Sequence, residues 1–190
     1  GKVTRQDINM RALRDGLAFV WHMPQLRSTM LLDFFATLFS SALALLPGAD
    51  VRRVPSENLH STLVFLGNVD PAQRLCLEDA ANLVRAQRFT LTLNRFGYFR
   101  RPQVAWLGCT TIPAPLRALV AELSLGAAAC GFPPDKRPYE PHLSIARHLR
   151  HDPGRLAVMP ISWEVERFAL MESVSDEKGV HYQPLRFWQL

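Results

Sequence analysis

Two of the six histidines in this 190-residue chain stand in the same short pattern. His60-Ser61-Thr62-Leu63 and His142-Leu143-Ser144-Ile145 each carry a hydroxyl residue two positions after the imidazole and an aliphatic residue after that. His22, His148, His151 and His181 have no hydroxyl at that spacing. Side chains two apart on a strand share a face, so each tetrad read as a strand projects its imidazole and its hydroxyl together. If the two strands face one another, two imidazoles and two hydroxyls converge. That set suits in-line displacement at phosphorus. One imidazole removes a proton from the attacking group, the other protonates the departing oxygen, and the hydroxyls donate to the non-bridging oxygens. Histidine suits both roles because its ordinary pKa is about 6.5. A lone His-x-[Ser/Thr] is the common signature of a satisfied core histidine. The second copy is what raises the functional reading beside the structural one, and the spacing leaves open which imidazole is the acid.

The surrounding sequence supplies elements to hold the tetrads. Leu17–Trp21 reads as a buried strand and Leu26–Leu46 as an apolar helix stopped at Pro47-Gly48. Asp33 in the middle of that helix argues for a core helix and against a membrane span. Short strands are expected over 51–54 and 58–66, and a helix from Pro71 to about Gln87. Alternation over 89–99 predicts one strand, and 104–109 another. A third helix is expected from Pro113 or Pro115 to about Cys130, followed by the proline-rich loop 131–141. Strands over 142–147, 161–172 and 180–188 complete the reading. Helix, loop and His-bearing strand occur in that order twice, over 26–66 and 113–147, which hints at duplication. Mixed elements with short turns predict a largely antiparallel α+β fold.

Composition narrows the partners. The hydrophobic fraction is 48% and the charged fraction 21%, which excludes disorder and collagen-like order. Net charge is +5 and the pI about 9.6, and three of the 22 basic residues are lysines. An arginine-rich surface favours phosphate-bearing partners. Arg52-Arg53, Arg100-Arg101 and Lys136-Arg137 are candidates to guide a nucleic-acid backbone, and Phe99, Trp106, Phe132 and Tyr139 to stack on a base. Three cysteines without CxxC spacing make a disulfide framework or a cysteine zinc site unexpected and point to a reducing compartment. No metal cluster is expected from His142, His148 and His151. No Walker loop or GxGxxG supports a nucleotide-driven or dinucleotide-dependent reaction. Residues 1–15 are polar, with no signal-peptide core, and read as an extension or tag remnant.

On its paired blocks the chain resembles the two-histidine phosphoesterase superfamily, and within it the bacterial RNA 2′,3′-cyclic phosphodiesterases, also called 2′-5′ RNA ligases. Glu57-Asn58-Leu59-His60-Ser61-Thr62-Leu63-Val64-Phe65-Leu66-Gly67 is similar to the family's first motif block. Arg137-Pro138-Tyr139-Glu140-Pro141-His142-Leu143-Ser144-Ile145-Ala146-Arg147 is similar to the second. The resemblance covers most of residues 16–187 and implies one bilobal α+β domain over 16–190, two lobes related by a pseudo-twofold with a cleft between them. It implies opening of 2′,3′-cyclic phosphates on RNA ends or nucleotides to 2′-phosphates without metal or cofactor, and ligation through a 2′-5′ bond as the near-reverse. By resemblance His60 is the proton donor, His142 the proton acceptor, and Thr62 and Ser144 the phosphate-oxygen ligands. Ser144 stands where the family usually has threonine, which keeps the hydroxyl and loosens its χ1 restraint. Arg147 is expected to bind phosphate, although strict alternation sets it opposite His142 unless a bulge intervenes. Tyr139 is expected to stack on the substrate. A cytoplasmic monomer without membrane or obligate protein partner is expected. The alternatives are a phosphodiesterase on 2′-5′ oligonucleotides or ADP-ribose cyclic phosphate, and a non-catalytic RNA-end binding module.

Overall fold

The structure is a computed structural model that describes residues 52–154, 156–177 and 179–190. The expected strand Leu17–Trp21, the helix Leu26–Leu46, the extension 1–15, His22 and the two-lobed symmetry involving them lie outside the described residues. Within them the architecture is α+β and every strand pair is antiparallel. Strands β1 (Arg52–Arg53), β2 (Phe89–Leu93), β3 (Arg95–Phe99), β4 (Val104–Gly108), β5 (His142–Arg147), β6 (Ile161–Val165), β7 (Arg167–Asp176) and β8 (Gly179–Gln189) accompany helices α1 (Pro71–Leu83) and α2 (Ala114–Ala129). They form a four-stranded sheet in the order β1-β5-β4-β3 and two pairs, β2-β6 and β7-β8.

The four-stranded sheet has two unlike faces. Leu143, Ile145, Ala146, Ala105 and Leu107 are each at most 4% exposed and form its core side. Removing a leucine or isoleucine of this kind from water contributes roughly 1.5–3 kcal/mol. The other face carries His142 and Ser144 of β5, opposite Gly108 and Trp106 of β4, with Gly97 of β3 opposite Trp106. The Trp106 indole lies flat across the two glycines. A Cβ added at Gly97 would come within 2.1 Å of it, and one at Gly108 within 2.7 Å. Only a residue without a side chain leaves room there for the ring.

The helices are set by their ends. Asp70 caps α1 through a capping box with Gln73, and Pro71 occupies the first turn, where no amide donor is missed. The helix stops at Leu83, short of the expected Gln87, because Val84 turns extended and the Arg85 amide donates to Glu122 of α2. The two helices approach closely where Gly126 faces Ala80. A disulfide joins Cys76 to Cys130 beside that contact, with Leu77, Ala127 and Phe132 buried around it. This corrects the reading of the cysteines. The pairing is made by helix packing across 54 residues, so local spacing carried no trace of it. Cys109 is free and buried, and burial pushes its thiol up.

Three strand expectations are also corrected. The single strand over 89–99 is two, because Asn94 leaves the ladder to bond Thr110 through both ends of its amide, and β2 and β3 join different partners. The strand over 161–172 likewise divides at Glu166 between β6 and β7. The strand over 58–66 is replaced by a 3-10 turn at Ser56–Asn58 and one isolated bridge from Ser61 to Leu143. Along β5, Arg52 faces Arg147 while Ser61 faces Leu143. The 3-10 turn takes up the extra residues between those two pairings.

Candidate active site

The bridge between Ser61 and Leu143 fixes how the two tetrads meet. Stepping one residue outward on each strand sets His60 opposite Ser144 and Thr62 opposite His142. On β5, His142 and Ser144 alternate with the buried Leu143, and Thr62 is exposed. The two imidazoles are then diagonal neighbours, a placement that puts Cα atoms about 7–8 Å apart. That diagonal leaves room for a phosphoryl group between rings that approach it from opposite ends.

Each ring is held in the same way. His60 Nδ1 lies 2.7 Å from the Asn58 carbonyl oxygen, and His142 Nδ1 lies 2.8 Å from the Glu140 carbonyl oxygen. A carbonyl only accepts, so each Nδ1 carries the hydrogen and donates it. Each Nε2 is thereby left as the working nitrogen: a base when the ring is neutral, an acid when it is charged. In both tetrads the carbonyl comes from the residue two positions before the histidine.

Beyond that shared contact the surroundings diverge. His60 packs against Tyr182 of β8, ring centroids 4.1 Å apart. Asn58 docks the same strand, donating from Nδ2 to the Val180 carbonyl at 3.0 Å and accepting the Tyr182 amide at 3.3 Å. His142 meets the edges of Phe99 and Trp106, at 5.2 and 6.0 Å. Its half-burial in that aromatic corner holds its pKa below the ordinary imidazole value, because the charged form is the one desolvation penalises. Arg95 lies 5.0 Å over the Trp106 ring and pairs with the Glu140 carboxylate. The residue whose carbonyl orients His142 is thus anchored by a side chain stacked on the wall of the same site.

Arg147 reaches the histidine face by a bulge. β5 carries one residue more than β4 between Ser144 and Ala146, where the register shifts. Ile145 and Ala146 are consequently both buried, alternation is reset, and Arg147 emerges exposed on the side of His142 and Ser144. Tyr139 goes elsewhere. Its hydroxyl is buried beside that of Ser61. Burial pushes that hydroxyl up to about 12, with the Ser61 hydroxyl opposing. Of the other aromatic candidates, Phe99 and Trp106 line the site and Phe132 lies in the helix core. Arg137 is engaged by Asp135, whose carboxyl it holds at about 2. Among the described residues no cluster of three His, Cys, Asp or Glu side chains is arranged to hold a metal ion, and no helix is long and apolar enough to cross a membrane.

Asn58, Glu140, Arg95 and Tyr182 were not among the residues singled out in the sequence as site residues. Asn58 and Glu140 hold the rings through backbone carbonyls, which any residue type offers. A signal was nonetheless present, since both stand at the same offset from their histidines.

Known proteins carry the same arrangement of chain. The sequence model of the 2′-5′ RNA ligase superfamily matches residues 44–177. The RNA 2′,3′-cyclic phosphodiesterase of Escherichia coli K12 is 34% identical over 144 residues, covering 73% of this chain and 80% of that protein. The Thermotoga maritima protein of the same name is 33% identical over 146 residues, covering 70% and 75%. The crystal structure of E. coli LigT complexed with 3′-AMP superimposes with a TM-score of 0.73 at 30% identity, over 84% of this chain and 92% of that one. LigT complexed with ATP gives 0.70 at 28% identity, over 84% and 91%. With a family match over most of its length and relatives above 30% identity across most of theirs, this chain belongs to the 2′-5′ RNA ligase superfamily.

Proposed function

We propose that this protein is an RNA 2′,3′-cyclic phosphodiesterase that opens terminal cyclic phosphates to 2′-phosphates. The observation that carries the reading is the matched pair of imidazoles, each with Nδ1 spent on a carbonyl and Nε2 free, on diagonal positions beside two hydroxyls. The names of the relatives point to the same substrate class.

In this mechanism His142 Nε2 takes a proton from water as the water oxygen bonds to phosphorus. The bond from phosphorus to O3′ breaks, its electron pair stays on O3′, and His60 Nε2 supplies the proton. The products are a 2′-phosphate and a free 3′-hydroxyl, and solvent resets both rings. Thr62 and Ser144 donate to the non-bridging oxygens and hold the group in line. The environment of His142 supports the base role, because the aromatic corner favours the neutral ring that a base must be. His60, the other imidazole of the pair, takes the acid role. Replacing water by a 5′-hydroxyl gives 2′-5′ ligation through the same atoms, and neither direction requires a metal.

The test uses a short RNA ending in a 2′,3′-cyclic phosphate, with excess EDTA, and identifies the phosphate isomer formed. Wild type yields the 2′-phosphate. His60→Ala and His142→Ala each lose about 10²–10⁴-fold in kcat, the contribution of one acid–base group. A 3′-phosphate product, or loss of wild-type activity to EDTA, would sink the mechanism. Wild-type binding of the RNA end without turnover would make a binding module the better reading.

A further inference from the structure

Beyond the histidine face, a polar depression of about 280 Å³ lies at the end of the four-stranded sheet, lined by Tyr98, Arg100, Gln103, Arg150, His151 and Asp152. Its walls are the loop from β3 to β4 and the loop that follows β5. The two loops are fastened to each other. Tyr98 donates its hydroxyl hydrogen to the Leu149 carbonyl, the Leu149 amide donates to the Gln103 carbonyl at 3.2 Å, and the Gln103 amide donates to the Phe99 carbonyl at 2.8 Å. Gln103 and His148 are the non-glycine residues with positive φ among the described residues, at 66° and 63°. One belongs to each loop. Side chains resist this conformation, and it persists where the surroundings impose it, as at ligand sites.

These fastened loops bring two arginines to one depression that holds a single acid. Among the described residues Arg100 and Arg150 are exposed and make no ion pair, unlike Arg74, Arg88, Arg95, Arg137 and Arg186. Asp152 is the one acid in the lining, and its Oδ1 already accepts the Gly154 amide. Two guanidiniums against one carboxylate leave this small depression with a net positive charge that a bound anion would offset.

The depression continues the histidine face. Phe99, whose ring meets His142, directly precedes Arg100, and Arg147 lies three residues before Arg150. Same-face positions along a strand are about 7 Å apart, so the two steps from the His142 row through Ser144 to Arg147 reach this end of the sheet at roughly 14 Å. A stacked single strand advances about 3.4 Å per nucleotide, so that span takes on the order of four nucleotides.

We propose that this depression binds a backbone phosphodiester of the RNA several nucleotides upstream of the end processed at His60 and His142. The inference rests on the function proposed above and sharpens its substrate class: an oligoribonucleotide end, preferred over a mononucleotide cyclic phosphate. Arg100 and Arg150 supply the charge, and the tied loops hold them in place.

The experiment compares kcat/KM on an RNA of about eight nucleotides ending in a cyclic phosphate with kcat/KM on a mononucleotide 2′,3′-cyclic phosphate. Wild type, Arg100→Gln, Arg150→Gln and, as a charge-matched control, Arg88→Gln are measured at several salt concentrations. Each pocket variant is expected to lose about tenfold on the oligonucleotide and nothing on the mononucleotide, with the salt slope reduced by roughly 0.7. Arg88→Gln is expected to match wild type on both. Unchanged oligonucleotide rates, or equal losses on both substrates, overturn the proposal. If wild type processes neither substrate, the function proposed above fails on its own account. Fluorescence anisotropy with the same RNA bearing a 2′-phosphate then decides the pocket: weaker, less salt-dependent binding by both variants keeps it, and unchanged binding removes it.

Discussion

The two histidines share one contact and differ in everything that surrounds it. His142 opens β5, inside a four-stranded sheet, with Trp106 of the neighbouring strand beside it and Arg95 tied to Glu140. His60 stands between a 3-10 turn and a single bridge, and its wall comes from Tyr182, far along the chain. The same ring orientation can therefore be imposed by a regular ladder or by a few long-range bonds. The ladder brings burial with it, and burial sets the protonation of the ring it surrounds.

The sharpest way to break the His142 side is Gly97→Ala. The new methyl would need the space of the Trp106 ring, which is also pressed against Gly108 and only 6% exposed. Overpacking of this kind costs about 1–3 kcal/mol, and we expect the upper part of that range in chemical denaturation. Displacing the indole also opens the wall beside His142. Its titration midpoint, followed by NMR, should move up toward 6.5. An unchanged His142 midpoint would mean that Trp106 does not set its environment.

Asn58→Ala breaks the other side and leaves the sheet alone. It removes two hydrogen bonds to β8 but keeps the carbonyl that holds His60. At about 1 kcal/mol each, and less for partly exposed groups, the loss of stability should be about 1–2 kcal/mol. Tyr182 loses its tether, so kcat on a cyclic phosphate should fall several-fold with KM little changed. Wild-type kcat in this variant would show that the docking of β8 is dispensable for positioning His60.

The same contrast explains what could be read in the sequence. The second tetrad was legible as a strand because His142–Arg147 is one, with alternating burial up to its bulge. The first has the same residue spacing but lies in a segment whose pairing is nearly all interrupted, and the spacing looks identical in the two cases. The single bridge from Ser61 to Leu143 brings the two tetrads side by side in antiparallel register, as parity on each tetrad required. What could not be read depended on partners distant in sequence. The disulfide needs α1 against α2, the division at Asn94 needs Thr110, and the supports at Asn58 and Glu140 act through main-chain atoms. Arg147 is intermediate. Its identity was legible, but its face depended on one extra residue in β5 that alternation alone does not reveal.

The smallest effect is the most direct reading of the asymmetry. His142 is held below its ordinary pKa by burial, so between that depressed value and about 6.5 the unfolded chain binds more protons than the folded one. This residue's contribution therefore makes the protein lose stability as pH falls through the ordinary imidazole range, and the loss stops once the folded His142 is itself protonated. Replacing His142 by Gln should flatten that part of the stability profile without abolishing folding. Catalysis has the same origin on the other axis. If His142 is the base, the acid limb of kcat/KM lies below pH 6.5, because activity requires its neutral form. The two midpoints, one from NMR titration of His142 and one from the acid limb, should coincide. An acid limb at or above 6.5, with His142 titrating lower, would assign the base to the other ring and reverse the roles of the two halves of the site.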